Sequence, residues 1–372
     1  MNLPDLRYLS AAEVTAALPP LDERLRLAEQ TLIALADDSA ELPPKIGIHP
    51  RAASSFGHAM PAHLRGANPA GGDDLVGMKW VVGYPGNGAR GLPTIFATVV
   101  LNDAATGLPL AILDGGPITA ARTAAISGVA IDRFAPEPGG RSSDDGADPA
   151  PAPPDVTEPS DEATAPDVAG AETNLHRRHA GGHRVGLIGA GVEGRSHVEM
   201  VGHVLPGAIL TVYDRDPARA EALTVAARAT LGIAAAHAVS DARDATLDAD
   251  VVITAASFGP VNQVMTDDWL TPHALVVPVD YATYCSAAIA HDAALFVVDE
   301  LGQFLANRTA GLFVDYPDPT TTIGAAILDG TGRPQSGRVV ATHLGTGLAD
   351  LVFAREIVRR AVYADLGTEI AR

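Results

Sequence analysis

Cysteine is almost missing from this chain of 372 residues: Cys285 stands alone, so no internal disulfide framework can form, as suits a reducing compartment. Aromatic residues make up only 5% against 47% hydrophobic residues overall, which points to a globular core built mainly of alanine and valine. Basic residues are also short, with 26 Lys and Arg against 45 Asp and Glu and a formal net charge of -19. No basic block compensates for that charge. The balance excludes nucleic acid and anionic membrane as partners, but a small anion needs only a local cluster of cations. No apolar run approaches the roughly 18 residues that span a bilayer, and no secretory leader is read. The expectation is a cytoplasmic globular protein with no membrane partner, long enough for two domains with separate cores.

The first part opens with a capping box, Ser10 to Glu13, and an amphipathic helix over residues 22–36. Strand signals follow in "KIGIHP", "GHAMPA", "LVGMKWVVGYP", "LPTIFATVVLND" and "LPLAILDGG", the last two flanking a turn-rich "NDAATG" that predicts an antiparallel hairpin. From residue 136 to 182 the composition changes: the stretch 136–172 is almost wholly Pro, Ala, Gly, Ser, Thr and acid, with Val156 and Val168 as its large apolar residues. Such a stretch cannot bury enough surface to offset its ordering entropy and reads as a disordered acidic linker. Beyond it, continuous apolar strands alternate with helices: "RVGLIGAG", a helix over 192–204, "AILTVYD", a helix over 217–231, then "ADVVITAAS", "HALVVPVDYA" and "ALFVVDE". That alternation predicts a parallel sheet covered on both faces. A last amphipathic helix is read over 348–364.

"GLIGAGVEGRSH" sets Gly189, Gly191 and Gly194 in GxGxxG spacing, after a strand and at the opening of a helix. Asp214 follows about twenty residues later at the end of the next strand. In that context the glycines let a backbone approach a pyrophosphate, and Asp214 can accept hydrogen bonds from an adenosine ribose. A carboxylate there repels a 2'-phosphate and favours NAD, while Arg215 leaves room for NADP. Asp280 ends the strand "ALVVPVD", at the carboxyl edge where open α/β sheets bind ligands. It is read either as an acid or base beside the nicotinamide or as a helix N-cap.

Strand alternation in "VGMKWVVG" places Val76, Met78, Trp80 and Val82 on one face and Gly77, Lys79, Val81 and Gly83 on the other, with Lys79 between small neighbours. In "DGGPITAARTAA", Pro117 followed by Thr119 as N-cap predicts a helix with Arg122 in its first turn, where an anion is welcome. Arg122 shares a stripe with Ile126, Val129 and Ala130. Taken singly, Arg122 and the lysines Lys45 and Lys79 read as surface or ion-paired cations; taken together, they form a candidate carboxylate site. His49, His58 and His63, and the histidines of "HRRHAGGH", lack ligand spacing on one element and read as structural or solvated, so no metal is expected.

The segments "HAMPAHL", "GMKWVVGYPGN", "GLPTI", "LNDAATGLPLAILDGGPITAARTAA", "GLIGAGVEGRSH" and the strand ending in Asp280 resemble, in order, the ornithine cyclodeaminase/mu-crystallin family. The resemblance covers nearly the whole chain apart from the acidic segment. It implies an α/β protein: an α+β substrate-binding and dimerisation domain over 1–135, completed by 325–372, the linker over 136–182, and a Rossmann-type doubly wound parallel-sheet domain over 183–324. It further implies a homodimer and a bound nicotinamide cofactor used on a small amino acid or cyclic imine. Carried onto this chain, Asp280 and Lys79 match catalytic positions, and Lys45, Met60, Lys79 and Arg122 match substrate-binding positions. Thr94, Arg122, Gly189, Gly191, Val192, Glu193, Gly194, Asp214 and Ala255 match cofactor contacts. Two positions depart from the pattern: Lys45 stands where many members have arginine, and Val352 where an acid is common. Three activities are compatible: NAD-dependent cyclodeamination of a basic L-amino acid, net imine reduction or amino-acid dehydrogenation, and non-catalytic binding of a small molecule.

Overall fold

The computed structural model describes residues 3–66, 73–138, 182–257 and 262–372, so the acidic segment expected at 136–182 lies almost wholly outside the described residues. The chain begins with β1 (Leu6–Leu9), α1 (Ala11–Ala16), α2 (Leu21–Ala36), β2 (Ala40–Glu41), β3 (Ile46–Ile48), β4 (Phe56–Leu64), β5 (Leu75–Gly83), β6 (Ile95–Asn102), β7 (Pro109–Asp114) and α3 (Gly115–Phe134). It continues through β8 (Arg184–Ile188), α4 (Val192–Val204), β9 (Ala208–Tyr213), α5 (Pro217–Arg228), β10 (Ile233–Ala238), α6 (Ala242–Thr246), β11 (Val251–Thr254) and β12 (Leu275–Pro278). Then come α7 (Ala287–His291), β13 (Leu295–Val298), α8 (Leu301–Thr309), β14 (Thr321–Thr322), α9 (Ile323–Leu328), β15 (Val339–Thr342), α10 (Gly347–Tyr363) and β16 (Thr368–Ile370).

The first sheet runs β16-β1-β7-β6-β5-β4-β2, with β3 on β4. The capping box is present, Glu13 accepting from Ser10 N at 2.9 Å, and β6 and β7 pair antiparallel across the turn-rich loop. One strand face is buried and the other open, as alternation in β5 requires: Lys79 is buried and Trp80 exposed. Helices α3 and α10 cover the inner face. The outward face is apolar, with Tyr8, Ile46, Ile48, Trp80, Phe96 and Leu110 all exposed.

The second sheet is parallel throughout, in the order β10-β9-β8-β11-β12-β15-β13-β14. Its central strands are buried along their length, as covered parallel strands must be. The strand order reverses between β8 and β11, which opens a crevice at their carboxyl ends. Strand β15 lies in this sheet, although the sequence reading placed 325–372 with the first unit. Among the described residues no helix is long and apolar enough to cross a membrane.

Two helix boundaries differ from expectation. Asp114, not Thr119, caps α3 by accepting from Gly116 N, so the helix starts at Gly115 and carries Pro117 within its first turn. Proline is tolerated there because first-turn N–H groups have no intrahelical acceptor. Arg122 therefore sits two turns inside the helix, away from the positive end of the dipole. Helix α5 stops at Arg228, where the turn to Gly232 (φ +86°) begins.

Candidate active site

At the crevice, β8 runs into Gly189, whose φ of +105° suits glycine, and α4 begins after Gly191 with no side-chain cap. A Cβ at Gly194 would collide with the carbonyl oxygen of Gly189, and one at Gly189 with that of Ala255. A Cβ at Gly191 would meet nothing within 4 Å. Two glycines thus close the turn on itself, and the third leaves open space over uncapped helix N–H groups, a fit for a phosphate. Val192 is 70% exposed at the same place. Asp214 receives Ala190 N at 2.8 Å and Asp216 N at 2.9 Å, which fixes its carboxylate beside the glycine turn. These residues suit a dinucleotide. Thr94 is exposed at the entry to β6, and its hydroxyl makes no hydrogen bond among the described residues.

On the inner face of the first sheet, Lys79 is fully buried opposite Met60 in register. Its Nζ lies 2.5 Å from Asp350 Oδ2 and 3.5 Å from Thr119 Oγ1. Arg122 reaches the same carboxylate from α3, Nε to Oδ1 at 3.2 Å. Asp350 is completely buried in the first turn of α10, where the helix dipole favours an anion. Two buried cations therefore share one buried carboxylate. Burial pushes the Lys79 ammonium down to about 8, against the attraction of Asp350 and with the Arg122 charge adding to the depression. Nη1 and Nη2 of Arg122 have no hydrogen-bond partner among the described residues, and they lie against Gly345 (φ +71°), where a Cβ would collide with the guanidinium. The small neighbours of Lys79 do not leave free space: Leu351 packs on Gly77 and the Phe56 ring on Gly83.

Asp280 lies two residues past the end of β12 and is buried, its Oδ1 accepting from Thr254 Oγ1 at 2.7 Å and its Oδ2 from Ala256 N at 3.2 Å. Desolvation pushes its carboxyl up to about 7, against the lowering effect of those hydrogen bonds. Glu193, in the first turn of α4, turns its carboxyl toward the Lys79, Arg122 and Asp350 charges, and burial raises it to about 7 as well. Its Oε2 is sealed from solvent without a partner.

Lys45 closes one side of the site, its Nζ donating to Leu344 O at 2.7 Å and lying 3.3 Å from Tyr281 Oη. Asp299 anchors the same loop by accepting from Leu344 N and Gly345 N, each at 3.0 Å. His58 stands half-buried beside this group, and desolvation together with the Lys45 charge drives its imidazole down to about 4.

The structure thus brings Lys45, Met60, Lys79 and Arg122 to one place, and the glycines, Val192, Asp214 and Ala255 to another. Sequence reasoning missed Asp350, Asp299 and the burial of His58. It looked for an acid at Val352, which is buried in the core instead; the carboxylate comes from Asp350, half a turn earlier on α10. The available signal was an acid in the first turn after Thr346, but nothing local showed which face would meet β5.

The sequence profile of the ornithine cyclodeaminase/mu-crystallin family matches residues 8–139 and 163–326. Nodulation efficiency protein NfeD of Rhizobium meliloti is 30% identical over 372 residues, 98% of each chain. The Δ1-pyrroline-2-carboxylate reductase of Thermococcus litoralis, solved with NADH and L-proline, superposes with a TM-score of 0.74 at 23% identity, covering 98% of this chain and 100% of that one. An archaeal alanine dehydrogenase dimer with bound NAD gives 0.74 at 24% identity, covering 98% and 99%. These two structures share the fold.

Proposed function

The chain belongs to the ornithine cyclodeaminase/mu-crystallin family, and from that membership we propose that it is an NAD(H)-dependent enzyme acting at the carbon–nitrogen bond of a small α-amino or cyclic α-imino acid. The observation that carries this reading is the pairing of two buried cations with one carboxylate, leaving the fork of Arg122 unsatisfied, in a chain that also carries a protonatable Asp280. Two cations against Asp350 leave one positive charge over when Glu193 holds its proton. A ligand carboxylate received by Nη1 and Nη2 of Arg122 neutralises it in bidentate geometry.

The bound dinucleotide supplies the hydride donor or acceptor. Gly191 and the first turn of α4 would hold its pyrophosphate, and Asp214 would receive the ribose hydroxyls. Asp280 holds one proton at about neutral pH, gives it to the substrate nitrogen as an imine becomes an amine, and takes it back in the reverse direction. Lys79, anchored by Asp350, keeps a positive charge beside the substrate carboxylate.

Net reduction or oxidation is favoured over cyclodeamination by the local charge. The distal ammonium of a basic amino acid would meet Lys45, Lys79 and Arg122, whose carboxylate Asp350 is already paired, with the half-protonated Glu193 as the carboxyl turned toward them. The deciding assay offers L-ornithine, L-lysine, neutral amino acids and cyclic imino acids while following both ammonia and NADH absorbance. Stoichiometric NADH change supports this reading. Ammonia without net NADH change reverses it in favour of cyclodeamination, and binding with neither signal leaves only a binding protein.

The apolar outward face of the first sheet is assigned to a second copy of the chain. Tyr8, Ile46, Ile48, Trp80, Phe96 and Leu110 are exposed on it, apolar surface of the kind that dimers bury.

A further inference from the structure

Three buried groups that the reaction chemistry does not use are joined end to end. Ser127, on α3 five residues beyond Arg122, places Oγ 2.8 Å from Nε2 of His197 on α4 and 2.8 Å from Nε2 of His343, just past β15. Nδ1 of His197 lies 2.6 Å from the carbonyl oxygen of Glu193 in the first turn of α4. All three side chains are fully buried, and burial depresses both imidazoles, His197 to about 4, so each ring carries a single proton at neutral pH.

The proton order follows from donor and acceptor chemistry. A carbonyl oxygen only accepts, so the His197 proton is on Nδ1 and Nε2 is an acceptor. Ser127 must spend its one hydroxyl proton on that Nε2. Its oxygen then accepts from Nε2–H of His343, and His343 is left with a bare Nδ1, which is sealed from solvent without a partner. Every bond in the chain has one direction.

The chain crosses the three elements that carry the two halves of the site. α4 opens at the glycine turn, α3 carries Arg122, and the loop after β15 sets Gly345 against the guanidinium and Leu344 O on Lys45. Where α3 meets α4, Gly128 faces Met200, a flexible side chain that can slide.

We propose that Ser127, His197 and His343 are positioning residues: their one-way hydrogen-bond chain holds the Arg122 seat in register with the first turn of α4, fixing the separation between substrate carboxylate and dinucleotide. The proposal rests on the oxidoreductase reading above.

The test uses the full-length chain. In 15N-histidine protein, long-range 1H–15N correlation reads each tautomer; Nδ1–H at His197 and Nε2–H at His343 are expected, and the opposite form at either ring overturns the proton order. Ser127→Ala is then compared with wild type using NADH and Δ1-pyrroline-2-carboxylate, or whichever imino acid the panel selects. NADH affinity is read by fluorescence, and a primary isotope effect with 4-deuterated NADH. NADH affinity within about twofold, kcat lower by about tenfold or more, and a larger isotope effect are expected, because misplacement slows the transfer step itself. Activity lost only in proportion to the unfolded fraction, with the wild-type isotope effect, overturns the proposal. If wild-type protein binds NADH but turns over no compound, the oxidoreductase reading fails and takes this proposal with it; wild-type turnover with an unmoved isotope effect in Ser127→Ala defeats this proposal alone.

Discussion

Replacing Lys79 by methionine is expected to make the protein more stable at neutral pH while abolishing its activity. Lys79 is fully buried, and desolvation holds its ammonium at about 8 instead of 10.5 even with Asp350 at 2.5 Å. A tenfold change in a protonation equilibrium corresponds to about 1.4 kcal/mol, so keeping the charge in the folded chain at pH 7 costs about 3 kcal/mol relative to the unfolded chain. Methionine has nearly the same length and no charge, and such a swap loses less than about 1.5 kcal/mol in packing. Lys79→Met should therefore gain about 2 kcal/mol at pH 7. The sign with pH is fixed. Below pH 8 both states of the wild type hold the proton and the penalty is complete. Between 8 and 10.5 the unfolded chain holds it and the folded chain has lost it, so wild-type stability rises with pH and the advantage of the variant shrinks to nothing. Urea unfolding followed by circular dichroism at pH 7, 8, 9 and 10, at one protein concentration, measures the difference directly. A variant less stable than wild type at pH 7, or a difference that does not change with pH, would refute the reasoning. Agreement would identify a site where stability is given up for a charge that function requires.

Asp350→Asn is expected to act in the opposite sense, destabilising by about 3–5 kcal/mol in the same urea experiment, because Lys79 and Arg122 are then buried without a counter-charge. Asp280→Asn should abolish turnover with NADH affinity unchanged by fluorescence titration; in the wild type, imine reduction should decline above about pH 7 as Asp280 loses the proton it donates. Gly194→Ala should lower the melting temperature, since its Cβ collides with Gly189 O, whereas Gly191→Ala should leave melting unchanged and weaken NADH binding alone. Trp80→Asp together with Phe96→Asp should shift the chain to a monomer by light scattering; a dimer that survives both charges would move the interface off this face.

Much of the fold can be read along the chain because its signals are local. The side-chain period of a strand separated Lys79 from Trp80 before any pairing was known, and the continuous apolar strands marked the parallel sheet. The start of α3 misled because Pro117 looks like a stop from either side, and only the Asp114 cap shows that it lies inside the first turn. Strand β15, "VVAT", is as short and apolar as β11 and was not read in the sequence; its pairing with β12 and β13 places it in the parallel sheet.

The sequence by itself determined the glycine turn, since Gly189, Gly191 and Gly194 act through their own backbone and their spacing between a strand and a helix places them on one turn. It also put Lys79 and Trp80 on opposite faces of one strand and Arg122 on a stripe with Ile126, Val129 and Ala130, while which face of β5 turns inward was left to the fold. Tertiary structure alone decided what those cations meet. Asp350 reaches Lys79 from 271 residues away and Arg122 from 228, and it meets them because α10 crosses β4, β5 and β6 on the inner face of the first sheet. A charge can be read from a residue, whereas its pKa, its partner and its cost depend on which surface folds over it, and no local pattern encodes a contact between elements so far apart.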